Sequence, residues 1–166
     1  WYVGDLSNWD VSNVTNMHYM FAGAGYQATN FNVGDLSNWD TGSVTKMSFM
    51  FAWAGQNSSE FNIGNLANWD TSSVTVMNDM FKETGNHVTN LSLDLSGWDV
   101  SAVTTMENMF QNTGYNSTNF SIGNLDNFNS QFELMLASVP VHMPGFKEEI
   151  ANGGLIKLGG MKIKEE

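Results

Sequence analysis

The chain has 166 residues, long enough for one ordinary domain or one stack of repeats with a cap. Its net charge of −11 rests on 17 acidic residues against six Lys and no Arg, which excludes the basic footprint that phosphate backbones require and sets the chain against anionic membrane surfaces. With no Cys there is neither a disulfide framework nor a thiolate metal site, and no apolar run approaches the length of a membrane-spanning helix. The chain opens at Trp1 in mid-repeat without a signal peptide, and so reads as a piece of something longer.

Taken in order, the chain repeats itself. Trp9, Trp39, Trp69 and Trp98 mark the units, Phe128 stands where a fifth is due, and the separations are 30, 30, 29 and 30 residues. A period in that range predicts a repeat stack. Units begin near Trp1, Phe31, Phe61, Leu91 and Phe120, each followed two residues later by Val3, Val33, Ile63, Leu93 or Ile122. This apolar-x-apolar pattern predicts one short strand per unit with one face buried. Strands of successive units should then stack about 4.8 Å apart as a parallel sheet. Right-handed crossovers are expected to join them. The residues between, Tyr2, Asn32, Asn62, Ser92 and Ser121, should line the outer face of that sheet.

A Leu column (Leu6, Leu36, Leu66, Leu95, Leu125) and the Trp column come next, and then a predicted helix. In the third unit Val74, Met77, Met80 and Phe81 fall at i, i+3, i+6 and i+7, one face of a helix. Ser12, Ser72 and Ser101, with Gly42 in the second unit, sit where an N-cap is wanted. Gly25, Gly55, Gly85 and Gly114 stand at the left-handed position past each helix end. Such helices of about three turns are too short to hold alone, so the units must stack.

From residue 129 the pattern fades. Phe132, Met135, Leu136 and Val139 share one side of a last helix that Pro140 stops. Leu155 to Lys164 alternates around Gly159-Gly160, a hairpin signal. The expected fold is thus an α/β solenoid: a right-handed, leucine-rich-repeat-like stack of about five coils over residues 1–128. Residues 129–166 would supply a degenerate last repeat and a helix-and-hairpin cap.

The residues Leu36-Ser-Asn-Trp-Asp-Thr-Gly-Ser-Val-Thr-Lys-Met-Ser-Phe-Met-Phe51 resemble the BspA-like leucine-rich-repeat surface proteins. Within them they are similar to the mycoplasma lipoprotein-type repeat with its Trp-Asp and Met-Phe signature. Four copies match, over roughly residues 1–128; the units are longer than usual, with extra residues at Tyr26–Asn30, Gln56–Glu60, Asn86–Asn90 and Tyr115–Asn119. The resemblance implies an extracellular or cell-surface bacterial protein, adhesin-like, whose partner is a protein or glycan on a host or neighbouring cell. It supplies no catalytic residues.

The Asp column, Asp10, Asp40, Asp70 and Asp99, would stack carboxylates at a repulsion of about 0.8 kcal/mol in water and about 3 kcal/mol at an effective dielectric near 20. Turn capping, each carboxylate accepting the backbone N–H two residues on, answers that repulsion and is preferred to a row of Ca²⁺ ions. The parallel acidic column (Asp5, Asp35, Asn65, Asp94, Asn124) is interrupted by amides. His18, His87 and His142 occupy unrelated positions, so no metal triad or base–nucleophile pair emerges, and no cofactor is expected. Tyr26, Trp53 and Tyr115, aromatic where other units are polar or small, are candidate anchors for a partner beside the sheet-face residues. The expected function is a non-enzymatic bacterial surface module that binds protein or glycan. The alternative is a structural spacer, or a subunit joining end to end through an open N-terminal coil.

Overall fold

The structure, a computed structural model, describes residues 4–123 and 125–128. The expected C-terminal cap over 129–166 lies outside them, as do Trp1, Tyr2, Val3 and Asn124. Four strands of three residues each recur at the predicted positions: β1 (Asn30–Asn32), β2 (Glu60–Asn62), β3 (Asn90–Ser92) and β4 (Asn119–Ser121). Their middle residues point inward, with Phe31, Leu91 and Phe120 buried and Phe61 partly so. β1 pairs with β2 in parallel, Phe31 opposite Phe61, and β3 with β4, Leu91 opposite Phe120.

The α/β solenoid with one strand and one helix per repeat is overturned. Among the described residues there is no α-helix, only two short 3-10 turns at Leu66–Asn68 and Asp126–Phe128. The strands form two separate two-stranded sheets in place of one. β2 and β3 do not pair, and the chain differs at that point: Leu93-Asp94-Leu95 stands where the preceding unit has Ile63-Gly64-Asn65-Leu66. The missing residue is the glycine that elsewhere turns the chain at positive φ, +89° at Gly34 and +78° at Gly64. A Cβ at Gly64 would also run into the Asp35 carboxylate of the unit before.

What replaces the helix is a run of tight turns. In the third unit the N–H groups of Met80, Lys82 and Thr84 bond to the carbonyls of Met77, Asp79 and Phe81, three residues back. The alternate N–H groups, on Met77, Asp79, Phe81 and Glu83, donate instead to Thr105, Glu107, Met109 and Gln111 of the next unit, at 2.7–2.9 Å. The first two units do the same, Met17, Tyr19, Phe21 and Gly23 donating to Lys46, Ser48, Met50 and Ala52. A helix would keep all these bonds local. Here every second donor is spent between units, and left-handed residues at Asp79 (φ +56°) and Glu83 (φ +54°) prevent helical continuation. The glycines expected past the helix ends keep their left-handed backbone, φ +52° at Gly55, but follow a turn run.

Side chains reinforce the stacking. The Phe21, Phe51, Phe81 and Phe110 rings succeed one another at 5.3, 5.5 and 5.8 Å, nearly parallel. Trp39, Trp69 and Trp98 lie at 6.2 Å and 4° to their neighbours, within the range of favourable offset stacking. Each indole also donates its ring N–H to a Leu carbonyl of the unit before: Trp39 to Leu6, Trp69 to Leu36 and Trp98 to Leu66, at 2.8–2.9 Å. Trp9 stands apart from the file, 55% exposed. The Thr column adds a second ladder, the hydroxyls of Thr45, Thr75 and Thr104 donating to the carbonyls of Thr15, Thr45 and Thr75.

The Asp column caps turns. Asp10 accepts the Ser12 N–H and hydroxyl at 3.1 and 2.6 Å, and Asp70 those of Ser72 at 3.0 and 2.7 Å. Asp40 accepts the Gly42 N–H, and Asp99 that of Ser101. In the second acidic column Asp5, Asp35 and Asp94 likewise hold the N–H of Ser7, Ser37 and Ser96. These bonds favour the charged form: the Ser72 hydroxyl and then its N–H hold the Asp70 carboxyl below its ordinary value of 3.8, while the Asp99 charge pushes the other way.

Two outcomes follow. Trp69→Ala should cost about 3–5 kcal/mol in chemical denaturation, since it opens the core and removes the indole bond to the Leu36 carbonyl, whereas Trp9→Ala should stay within about 0.5 kcal/mol. Ser72→Ala should move the Asp70 carboxyl upward toward 3.8, read by carboxyl NMR titration. Because the folded carboxyl titrates below the unfolded one, the stability advantage over Ser72→Ala should be present above pH 3.8. It should disappear as pH falls through the folded value.

Candidate functional site

The predicted sheet-face residues are committed to the backbone more than to the surroundings. Asn32 and Asn62 are exposed, but their side-chain carbonyls accept the N–H of Gly34 and Gly64 at 2.8 and 3.1 Å. Ser92 is exposed, and the half-buried Ser121 hydroxyl accepts from the Gly123 N–H. Tyr2 lies outside the described residues. Tyr26 and Tyr115 are both exposed, yet they occupy one column three units apart, with Gln56 and Asn86 between them. They do not form a common surface.

Trp53 does gather a surface. It is half-buried and lies 6.1 Å from the Phe49 ring, which in turn stacks on Tyr19 at 4.6 Å and 9°. His18 packs its edge against both, at 4.3 Å from Tyr19 and 5.9 Å from Phe49. The Lys82 ammonium rests 6.0 Å from the centre of the Trp53 ring and 3.3 Å from an Asp79 carboxylate oxygen. Glu83, beside it, accepts a 2.5 Å bond from the Gln56 amide.

The turn runs explain why these side chains meet. Each run brings two residues per unit to left-handed backbone, four residues apart, and the next unit repeats them in register. One column reads Tyr19, Phe49, Asp79, Asn108; the other reads Gly23, Trp53, Glu83, Asn112. Gly, Asn and Asp suit such backbone, whereas a bulky residue there costs on the order of 1–3 kcal/mol. Tyr19 (φ 60°), Phe49 (φ 55°) and Trp53 (φ 59°) are therefore held against local preference. The two columns are largely aromatic over the first two units and polar over the next two, with Asp79 and Glu83 in the third and Asn108 and Asn112 in the fourth. Sequence reading found Trp53 but missed Tyr19 and Phe49, because a helical assignment puts Phe49 beside the buried Met50 and Phe51. The signal available was Asp, Asn and Gly at matching positions in the other units.

Among the described residues no group of three His, Asp or Glu side chains is placed to hold a metal ion, and no helix is long and apolar enough to cross a membrane. The Asp column presents each carboxylate in its own turn. If the aromatic face is held against backbone preference, Trp53→Asn and Phe49→Asn should melt close to the parent temperature. The relieved strain of about 1–3 kcal/mol offsets ring contacts worth about 0.5–1.5 kcal/mol together with the loss of half a ring's apolar burial, about 1 kcal/mol. A loss in differential scanning calorimetry as large as that of Trp69→Ala would instead make these rings part of the core.

A search of proteins with curated functions and a search of solved structures match nothing to this chain. A family model described as "Mycoplasma protein of unknown function, DUF285" matches residues 1–62 and, in a second overlapping match, residues 26–139. The two matches together span well over half of the chain, including every Trp-Asp and Met-Phe unit. The repeats that build the ring files and the turn ladder are thus those of this family, and the chain is a member of DUF285.

Proposed function

We propose that this chain is a non-enzymatic binding module of a BspA-like bacterial surface protein, displayed outside the cell and adhering to a protein or glycan on a host or neighbouring cell. The observation that carries the reading is the contrast between scaffold and face. The buried Trp, Phe, Met and Leu columns and the turn-capping Asp residues repeat from unit to unit. Tyr19, Phe49 and Trp53 break their columns, and they do so where the backbone disfavours them. Side chains kept at a local cost, half-exposed and clustered, are expected where a surface is used.

The chain should be immobilised and challenged with panels of host surface proteins and of glycans. Retention of a defined member, lost on Trp53→Asn and kept on Tyr115→Ala, supports the module and its face. A spacer would retain nothing and sediment as a monomer at all concentrations. A self-joining subunit would show mass rising with concentration in the same sedimentation runs.

A further inference from the structure

The aromatic face is continuous with a second, charged half, and the two halves together point to a class of partner. Along the run of units the face carries His18, Tyr19 and Gly23, then Phe49 and Trp53, then Lys82 and Glu83, then Glu107. The buried Asp79 neutralises the Lys82 ammonium, which leaves Glu83 and Glu107 as the two carboxylates of the charged half. Glu107 is exposed and Glu83 half-buried.

Trp53 is open on one flank. The residue in register with it in the unit before is Gly23, which carries no side chain, and a Cβ built there would meet nothing within 4 Å. The Lys82 ammonium, held by Asp79, already stands 6.0 Å from the centre of the ring. Indole attracts cations most strongly of the side-chain rings. A second copy of the chain is disfavoured as occupant, since each copy carries −11. Anionic glycans and acidic peptides meet the same repulsion.

We propose that this face docks a Lys- or Arg-bearing segment of a protein partner. One cationic group seats against the Gly23 flank of Trp53, its aliphatic stem lies along Phe49 and Tyr19, and a second cation pairs with Glu83 or Glu107. The assignment rests on the binding-module reading and narrows it to one face and one ligand chemistry. Long-range attraction from the −11 chain speeds encounter, and the aromatic half gives the contact its place.

The test uses a synthetic Arg-Gly-Ser repeat peptide, a length-matched peptide with Ser for Arg, and a neutral malto-oligosaccharide. Each is titrated calorimetrically into the intact chain and its variants. The Arg peptide is expected to bind with an affinity that falls as salt rises, and the Ser peptide not to bind. Trp53→Asn should weaken the Arg peptide roughly tenfold and Trp53→Phe much less. Glu83→Gln should weaken it roughly threefold and Asp10→Asn, in the turn-capping Asp column, not at all. Circular dichroism of each variant confirms that it is folded.

Equal weakening by Asp10→Asn and Trp53→Asn would overturn the proposal, since binding would then be a general response to negative charge. So would Arg-peptide binding indifferent to Trp53→Asn, or no binding of that peptide. Oligosaccharide binding that requires Trp53 would overturn the cationic assignment while leaving the binding-module reading intact.

Discussion

The structure depends on where alternate backbone N–H groups go. In each of the first three turn runs one donor closes a tight turn within its own unit and the next reaches a carbonyl of the following unit. Buried backbone donors must be paired, and this division pairs them without a helix and with very little regular sheet. It also locks successive units in register, since a unit shifted by one residue would exchange its local donors for its bridging ones. The parallel bridges from Asn16 to Lys46 to Val76 to Thr105 mark the same register at the entrance to the runs.

Register then makes like side chains meet like. The Phe and Trp files arise because equivalent residues sit above one another, and each indole joins ring stacking to a hydrogen bond with the unit before. The same rule sets carboxylates near carboxylates in the two acidic columns. There the repulsion is offset locally, because each Asp accepts an N–H two residues along its own chain, and its Ser hydroxyl where geometry allows. Core and turn thus solve one geometric problem with opposite chemistries, apolar rings inside and capped carboxylates outside.

The aromatic face uses that geometry for another purpose. Left-handed positions are forced by the turn runs, and Asn108, Asn112, Asp79 and Gly23 fill them cheaply. Tyr19, Phe49 and Trp53 fill them at a cost, and among the described residues only there do three rings from two units lie together outside the core. A repeat scaffold offers many equivalent positions, so a local departure from its columns changes the surface while leaving the buried files undisturbed.

By itself the sequence determined the period, the strand positions around Phe31, Phe61, Leu91 and Phe120, the buried Trp, Met and Phe columns, and the candidate turn role of Asp10, Asp40, Asp70 and Asp99. All of these follow from identical residues at a fixed count. Only the tertiary structure decided that Met77 to Gly85 is a run of turns. Apolar residues at i, i+3, i+6 and i+7 bury one side of a helix and of such a run alike, and side-chain spacing does not say whether an N–H bonds within its unit or across to the next. The meeting of Tyr19, Phe49 and Trp53 depends on that same choice, which is made between units and not within one.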